Sequence, residues 1–400
     1  MVSSRKAKMG LVGCGGIGKW HLKAAAELQE EGFLQLAAVC DLVKAKAREM
    51  GEIYHAPYFT DLEKMLGNDL DFIDICTGDY THHTVAKLVA EHGKHVLIEK
   101  PMAITLPCCD VIIDSCRRAG VYYEVAENYY RTPSERAMKK IIERGIIGDV
   151  LRTYAIDPAP ANSQSQSPFS SHSPIVRLLD MGSHRMSEIR EFSGSEAETI
   201  IGVTKPQTPG GMYDDWGHAV VEFENGAIGV CELALGVVGK TNYREVIGTK
   251  GTLYNACRWA WGGDIQLTLR TEKAEKSVDV PVEKITKDIK GVEVLQSIVA
   301  KTNPEVVYRN PFANSPFGGN DYEFLVGVAD EIMSIANAAV HDEPPEYGIR
   351  GRKDIEMCIA MYESSMRRSP VELPIESLTD YEKKVHEAYE ETFGQNPTAV

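Results

Sequence analysis

No CxxC pair occurs among the nine cysteines, which stand at positions 14, 40, 76, 108, 109, 116, 231, 257 and 358. Zinc ribbons are built on such pairs, and disulfide scaffolds on cysteines crowded into a short chain. Most of these thiols fall in apolar strand or helix patterns. The expectation is therefore reduced thiols in a cytoplasmic protein, with no metal site. No apolar run approaches the ~20 residues of a membrane span. The opening MVSSRKAKMG carries charge, but no apolar stretch with a cleavage site follows, so no signal peptide is expected. Positive charge is short: 43 Lys and Arg against 58 Asp and Glu leave a net charge of -15. Nucleic-acid phosphates and anionic membranes would be repelled, which excludes both as partners. There is no GxSxG elbow and no P-loop, so serine-hydrolase and kinase chemistry have no foothold.

What is present is an ordinary globular composition, 43% hydrophobic and 25% charged. A length of 400 residues predicts two or three domains. The patterning divides the chain into a nucleotide-binding domain over 1–130, a second domain over 131–378, and a C-terminal helix and tail over 379–400.

The chain is organised around Lys8 to Asp41. Met9, Leu11 and Val12 fit a short buried strand. GCGGIG follows, with Gly13, Gly15 and Gly18 at GxGxxG spacing and Gly16 and Ile17 between them. Trp20 to Gln29 reads as a helix, Phe33 to Cys40 as a second strand, and Asp41 closes it. Gly13 allows a tight exit from the strand, Gly15 lets a pyrophosphate approach the backbone, and Gly18 lets helix and strand pack closely. The helix N-terminus offers N–H groups to phosphates. An acid about 20 residues on accepts hydrogen bonds from ribose hydroxyls and repels a 2′-phosphate. NAD is favoured over NADP.

Strand and helix patterns alternate to about residue 130. Strands are predicted at Phe72 to Cys76, His95 to Ile98 and Val121 to Val125, and helices at Lys44 to Met50, Leu62 to Leu66, Thr81 to Glu91 and Pro107 to Arg118. Such alternation implies a doubly wound parallel sheet. Val150 to Ile156 reads as a strand and Arg177 to Phe192 as a helix. Between them Asp157 to Pro174 is rich in Ser, Pro and Ala and reads either as a mobile surface loop or as a loop over a substrate pocket. From Glu198 to Val280 the signals are β, with Glu224-Asn225-Gly226 marking a hairpin. Phe324 to Ala339, Ile355 to Met366 and Tyr381 to Glu391 read as helices, and GQNPTAV as a frayed tail.

Two constellations carry chemistry beyond the glycines. Lys100 lies just after a strand, on the side of the sheet where ligands bind, and Pro101 holds its backbone extended. Asp180 and His184 are four apart and share one face of a helix. An imidazole titrates near neutral pH and suits proton removal from an alcohol. His82 follows the third strand, within reach of a cofactor.

The pattern resembles the glucose–fructose oxidoreductase, inositol dehydrogenase and rhizopine catabolism family. The hallmarks run in order: GLVGCGGIG, Cys40-Asp41, ICTGDYTHH, IEKPMA at Ile98 to Ala103, VAENYYR at Val125 to Arg131, DMGSH at Asp180 to His184, FENGA, and IGTKGTL at Ile247 to Leu253. The resemblance implies an N-terminal Rossmann domain and a C-terminal α+β domain with an open, mostly antiparallel sheet, which commonly forms the interface of a homodimer or homotetramer. It implies that Lys100 hydrogen-bonds the reacting hydroxyl, that His184 is the general base in oxidation, and that Asp180 orients. It implies that Thr77, Gly78, His82, Glu99 and Glu127 line the cofactor. Asn128, Tyr130, Arg131 and loop 157–174 would face the substrate. Gly78 stands where the family usually has Pro. Asp288 to Gly319 looks like an insertion, read as a lid or an oligomer arm.

The resulting expectation is an NAD-dependent oxidoreductase acting on a secondary hydroxyl of a sugar, cyclitol or glycoside, with oxidation at C3 of a glucoside as one option. The alternative is NAD-dependent glycoside hydrolysis through transient oxidation and elimination.

Overall fold

A computed structural model describes residues 5–159, 177–206, 214–235, 242–257, 262–271, 276–317 and 322–399. In the first lobe, β1 (Ala7–Val12), β2 (Leu34–Cys40), β3 (Tyr58–Phe59), β4 (Phe72–Ile75), β5 (His95–Glu99) and β6 (Tyr123–Ala126) form one sheet in the order β3-β2-β1-β4-β5-β6. All neighbours are parallel. The order reverses between β1 and β4, which opens a crevice at the carboxyl ends of those strands. The crossovers are α1 (Gly16–Glu30), α2 (Lys44–Tyr54), α3 (Leu62–Leu66), α4 (His82–Glu91) and α5 (Leu106–Ala119). Strand alternation sets the two faces: Ile73, Ile75, Val96 and Ile98 pack with α4 and α5, whereas Leu11, Phe72 and Leu97 pack with α1. Helix α1 begins inside the glycine turn, four residues earlier than the sequence pattern suggests.

The second lobe opens with α6 (Pro133–Glu143), which the sequence reading missed. Thr132 caps it by accepting the Glu135 N–H, and Pro133 occupies the first turn. A nine-stranded sheet follows, built from β7 (Val150–Ala159), β8 (Ala197–Lys205), β9 (Trp216–Phe223), β10 (Ile228–Leu235), β11 (Asn242–Gly248), β12 (Gly251–Cys257), β13 (Asp264–Arg270), β14 (Ser277–Val280) and β18 (Val371–Glu372). Only β7 and β10 pair in parallel. Helices α7 (Arg177–Ser193) and α9 (Arg350–Arg367) cover one face. The loop expected from Asp157 starts later, because Asp157 belongs to β7 and is buried against Arg185. Residues 160–174 of that loop lie outside the described residues.

The stretch from Asp288 is neither a free lid nor a projecting arm. β15 (Val282–Ile289), β16 (Val292–Ala300) and β17 (Val306–Arg309) form an antiparallel sheet. Leu295, Ile298 and Val306 pack on Met138 and Ile141 of α6. Phe312 meets Phe33 of the first lobe edge to face at 6.4 Å.

Helix α8 (Tyr322–His341) is long and apolar enough to cross a membrane by composition. Its apolar faces are already occupied. Leu325, Val328, Ile332 and Ile335 pack against α1 and the first-lobe strands. Helix α10 (Asp380–Phe393) begins with a reciprocal Thr379–Glu382 capping box. The tail beyond it is seated rather than frayed, since His83 Nε2 lies 2.7 Å from the buried Pro397 carbonyl oxygen.

Candidate active site

The glycine turn is shaped as a cradle. Gly13 sits at φ +99°, and a Cβ there would meet the Cys76 carbonyl oxygen at 2.4 Å. A Cβ on Gly18 would strike the Gly13 oxygen at 2.0 Å, so helix and strand meet without a side chain between them. Gly15 and Gly16 differ, because a Cβ on either meets nothing within 4 Å. They face open space at the start of α1, and no side chain caps that helix. Its N–H groups are available to a pyrophosphate. Ile17 packs into the core beneath. Asp41 ends β2 beside this turn. Its Oδ2 accepts the Cys14 N–H at 2.9 Å and its Oδ1 the Val43 N–H at 2.8 Å. Those bonds fix the carboxylate and leave lone pairs for ribose hydroxyls. The donor set fits a dinucleotide.

The next turn of the cradle follows β4. The Thr81 hydroxyl donates to Thr77 Oγ1 at 2.8 Å. His82 is buried, with Nδ1 2.9 Å from the Pro101 oxygen and Nε2 3.2 Å from the Thr77 oxygen. It ties two cofactor-side turns together, so it acts as a bracket more than as a contact. Gly78 has φ -69°, a value open to proline. What excludes a larger residue is Tyr80, whose ring lies 2.5 Å from a Cβ built at Gly78. Tyr80 is held there by stacking on Phe393 of α10 at 5.0 Å.

Three predicted residues from two lobes converge. Lys100 Nζ donates to Asp180 Oδ1 at 2.6 Å and to the Asp180 carbonyl oxygen at 3.2 Å. The Lys100–Pro101 peptide bond is cis. His184 sits one turn further along α7, buried, with Nδ1 2.5 Å from Glu127 Oε1. Tyr129 stacks flat on the imidazole at 3.7 Å and 17°. Arg185 lies over the other side of that network, 4.7 Å from the Tyr129 ring, and is fixed by Asp157 at 2.8 Å and Glu188 at 2.5 Å. The imidazole is thus clamped at one nitrogen and one face, and Nε2 is left to act.

Electrostatics divide the roles. Burial opposes the Lys100 charge, but Asp180 and then Glu99 outweigh it and hold the ammonium above its ordinary range. The charged form of Lys100 is therefore favoured, which suits it to face a developing negative charge. Burial, and then the Lys100 charge, push His184 well below the ordinary imidazole value. Burial, and then Asp354, push Glu127 well above the ordinary carboxyl value. The two shifts agree: this dry pair resists becoming an ion pair, and an added proton rests on Glu127.

Other predicted residues lie elsewhere. Tyr130 and Arg131 do not fit the substrate-facing role given to them, because they turn the opposite way from Tyr129. Arg131 is buried and bonded to Glu124 at 3.0 Å and Asp330 at 3.2 Å. Tyr130 stacks on Tyr347 at 4.6 Å. Asn128 is buried against α8, where a Cβ on Gly327 would meet its carbonyl oxygen at 2.6 Å. The Glu99 side chain turns beneath the sheet toward His21, 3.4 Å away, rather than toward the cradle. Tyr129 and the Glu127–His184 bond were not anticipated. Strand β6 places both near the site, and alternation after Ala126 is the only local signal for them.

Two family models match this chain: an oxidoreductase family with NAD-binding Rossmann fold over residues 7–127, and a GFO/IDH/MocA C-terminal domain over residues 136–254. Myo-inositol 2-dehydrogenase of Thermotoga maritima is 28% identical over 265 residues, covering 62% of this chain and 74% of that protein. Levoglucosan dehydrogenase of Pseudarthrobacter phenanthrenivorans is 26% identical over 237 residues, covering 52% of this chain and 60% of that one. Among solved structures, levoglucosan dehydrogenase with NADH and levoglucosan superposes with a TM-score of 0.75 at 22% identity, over 92% of this chain and 100% of the other.

Proposed function

Because the chain belongs to the GFO/IDH/MocA oxidoreductase family and binds NAD, we propose that it moves hydrogen between that cofactor and a secondary hydroxyl of a sugar, cyclitol or glycoside. The observation that carries this reading is the junction of Lys100, Asp180 and the Glu127–His184 pair beside the nucleotide cradle. Relatives that act on myo-inositol and levoglucosan support the substrate class. Oxidation at C3 of a glucoside lies within it.

Bound NAD supplies the acceptor for the hydrogen on the alcohol carbon. The protein's own groups handle the proton. Lys100, pinned by Asp180, points its remaining N–H at the substrate oxygen and stabilises alkoxide character as it develops. His184 Nε2 takes the hydroxyl proton while Nδ1 passes its own to Glu127. Asp180 keeps Lys100 aimed. In reduction the same proton returns.

The open face of the nine-stranded sheet carries Ile201 and Val203, each 48% exposed, together with Tyr154, Tyr243 and Tyr254. We take it as the docking face for a second copy, and light scattering that gives a monomeric mass overturns this. The main test is a panel of polyols, sugars and glycosides with NAD, followed by NADH absorbance. Stoichiometric NADH supports the dehydrogenase. Cleaved glycoside without NADH favours elimination, and no turnover across the panel overturns the substrate class.

A further inference from the structure

Helix α10 is tied to both loops that leave the carboxyl ends of β4 and β5, an arrangement the proton transfer does not use. The Leu106 N–H donates to Glu382 Oε1 at 2.9 Å, and Thr105 Oγ1 lies 3.0 Å from His386 Nε2. Thr105 and Leu106 close the segment that begins with Lys100. At the loop after β4, Tyr80 stacks on Phe393 at 5.0 Å and 9°. Tyr389 backs Phe393 at 4.6 Å. Just past the helix, the Pro397 carbonyl oxygen accepts from His83 Nε2 at 2.7 Å, across 314 positions of sequence. A carbonyl only accepts, so this imidazole carries a proton on Nε2.

Strand order tells which half of the cofactor the β4 loop serves. Asp41 follows β2, the glycine turn follows β1, and Lys100 follows β5, in a sheet ordered β2-β1-β4-β5. A dinucleotide laid across these strand ends has its adenosine ribose over β2 and its pyrophosphate over β1. The nicotinamide then lies toward β4 and β5, where Lys100 meets Asp180. The turn from Thr77 to Thr81 therefore belongs to the nicotinamide half. Its second residue, Gly78, has the conformational freedom of glycine. The Tyr80 ring restricts it by filling the space a Cβ would take, 2.5 Å from that position. Phe393, nearly parallel to that ring, holds it in place.

We propose that Phe393 is a positioning residue for the nicotinamide half of NAD. Through Tyr80 it keeps the turn from Thr77 to Thr81 in its receiving conformation, and α10 joins that hold to the segment behind Lys100. The inference rests on NAD binding and not on the substrate class. A turn ordered in advance spares the ligand the cost of ordering it. Without the Phe393 ring that cost returns, and it falls on the nicotinamide half alone. The adenosine half is held on the far side of β1, by Asp41 and the start of α1.

The test titrates the full-length protein with NADH and, separately, with ADP, which ends at the pyrophosphate. Phe393 is 37% exposed, so its truncation opens no closed cavity. In Phe393→Ala the Kd for NADH rises about 2- to 12-fold, the range of one aromatic pair, while that for ADP stays within about twofold. Phe393→Tyr keeps the flat ring and returns NADH affinity to the wild-type value. Tyr80→Ala removes the other ring and gives the same selective loss. Should Phe393→Ala fail to fold, Phe393→Leu, which keeps apolar bulk without the ring, carries the same expectation. An unchanged NADH Kd in Phe393→Ala overturns the proposal. Equal losses of NADH and ADP overturn it too, because they mark a lobe loosened as a whole. So does a Phe393→Tyr protein that binds NADH as weakly as Phe393→Ala. A wild type that binds ADP but not NADH overturns the cofactor reading, and this inference with it, before any variant is compared.

Discussion

Glu127→Gln is the substitution that most directly probes the proton route. The carboxylate is 1% exposed, and its Oε1 lies 2.5 Å from His184 Nδ1. Glutamine can still accept the Nδ1–H through its amide oxygen, so ring orientation survives. It cannot take the proton on. A buried hydrogen bond to a charged group contributes about 1.5–3 kcal/mol. At about 1.4 kcal/mol per factor of ten, kcat for oxidation falls about 10- to 150-fold. The nearest substrate-side group is Lys100, not Glu127, so KM and NAD affinity stay close to wild type. The assay is steady-state NADH formation on the best substrate from the panel, with NAD binding followed by fluorescence. A kcat within twofold of wild type removes Glu127 from the proton path. A loss confined to KM does the same.

The pH profile gives a second check. Because burial raises Glu127 and lowers His184, the pair accepts its extra proton on the carboxylate. Oxidation needs the pair unprotonated, so kcat falls as pH drops through a value above the ordinary carboxyl range, and Glu127→Gln moves that limb to lower pH. An unmoved limb counts against the shared proton. At the cofactor turn, Gly78→Ala drives a Cβ to within 2.5 Å of the Tyr80 ring. Overpacking of this kind costs about 1–3 kcal/mol. The change lowers Tm and weakens NAD binding, whereas unchanged values for both refute the crowding.

Much of the first lobe was legible in the sequence because its signals are local. The buried strands are continuous apolar runs, and the glycines stand where backbone meets backbone. Lys100, Asp180 and His184 were legible because each sits at a strand end or at helical spacing. Helix α6 was missed although Thr132-Pro133 and the spacing of Ala137, Met138 and Ile141 announce it. The roles of Tyr130 and Arg131 were misjudged because what holds them, Tyr347 for the one and Glu124 and Asp330 for the other, includes partners about 200 positions further along the chain. Glu127, Tyr129 and the seat of α10 depend on contacts across as many as 314 positions of sequence, from residue 83 to residue 397, and no local pattern encodes those.

Helix α8 has a further consequence for how the chain is made. It supplies Leu325, Val328, Ile332 and Ile335 to the face of the nucleotide lobe opposite α4 and α5. A ribosome adding roughly 5–20 residues per second leaves the part of that face not covered by α1 bare for roughly 10–40 seconds between the end of the sixth strand and the release of this helix. During that interval the nascent lobe shows water an apolar patch, and chaperones bind such patches. Cutting the gene after the sixth strand would make the exposure permanent, and the fragment would precipitate rather than bind nucleotide.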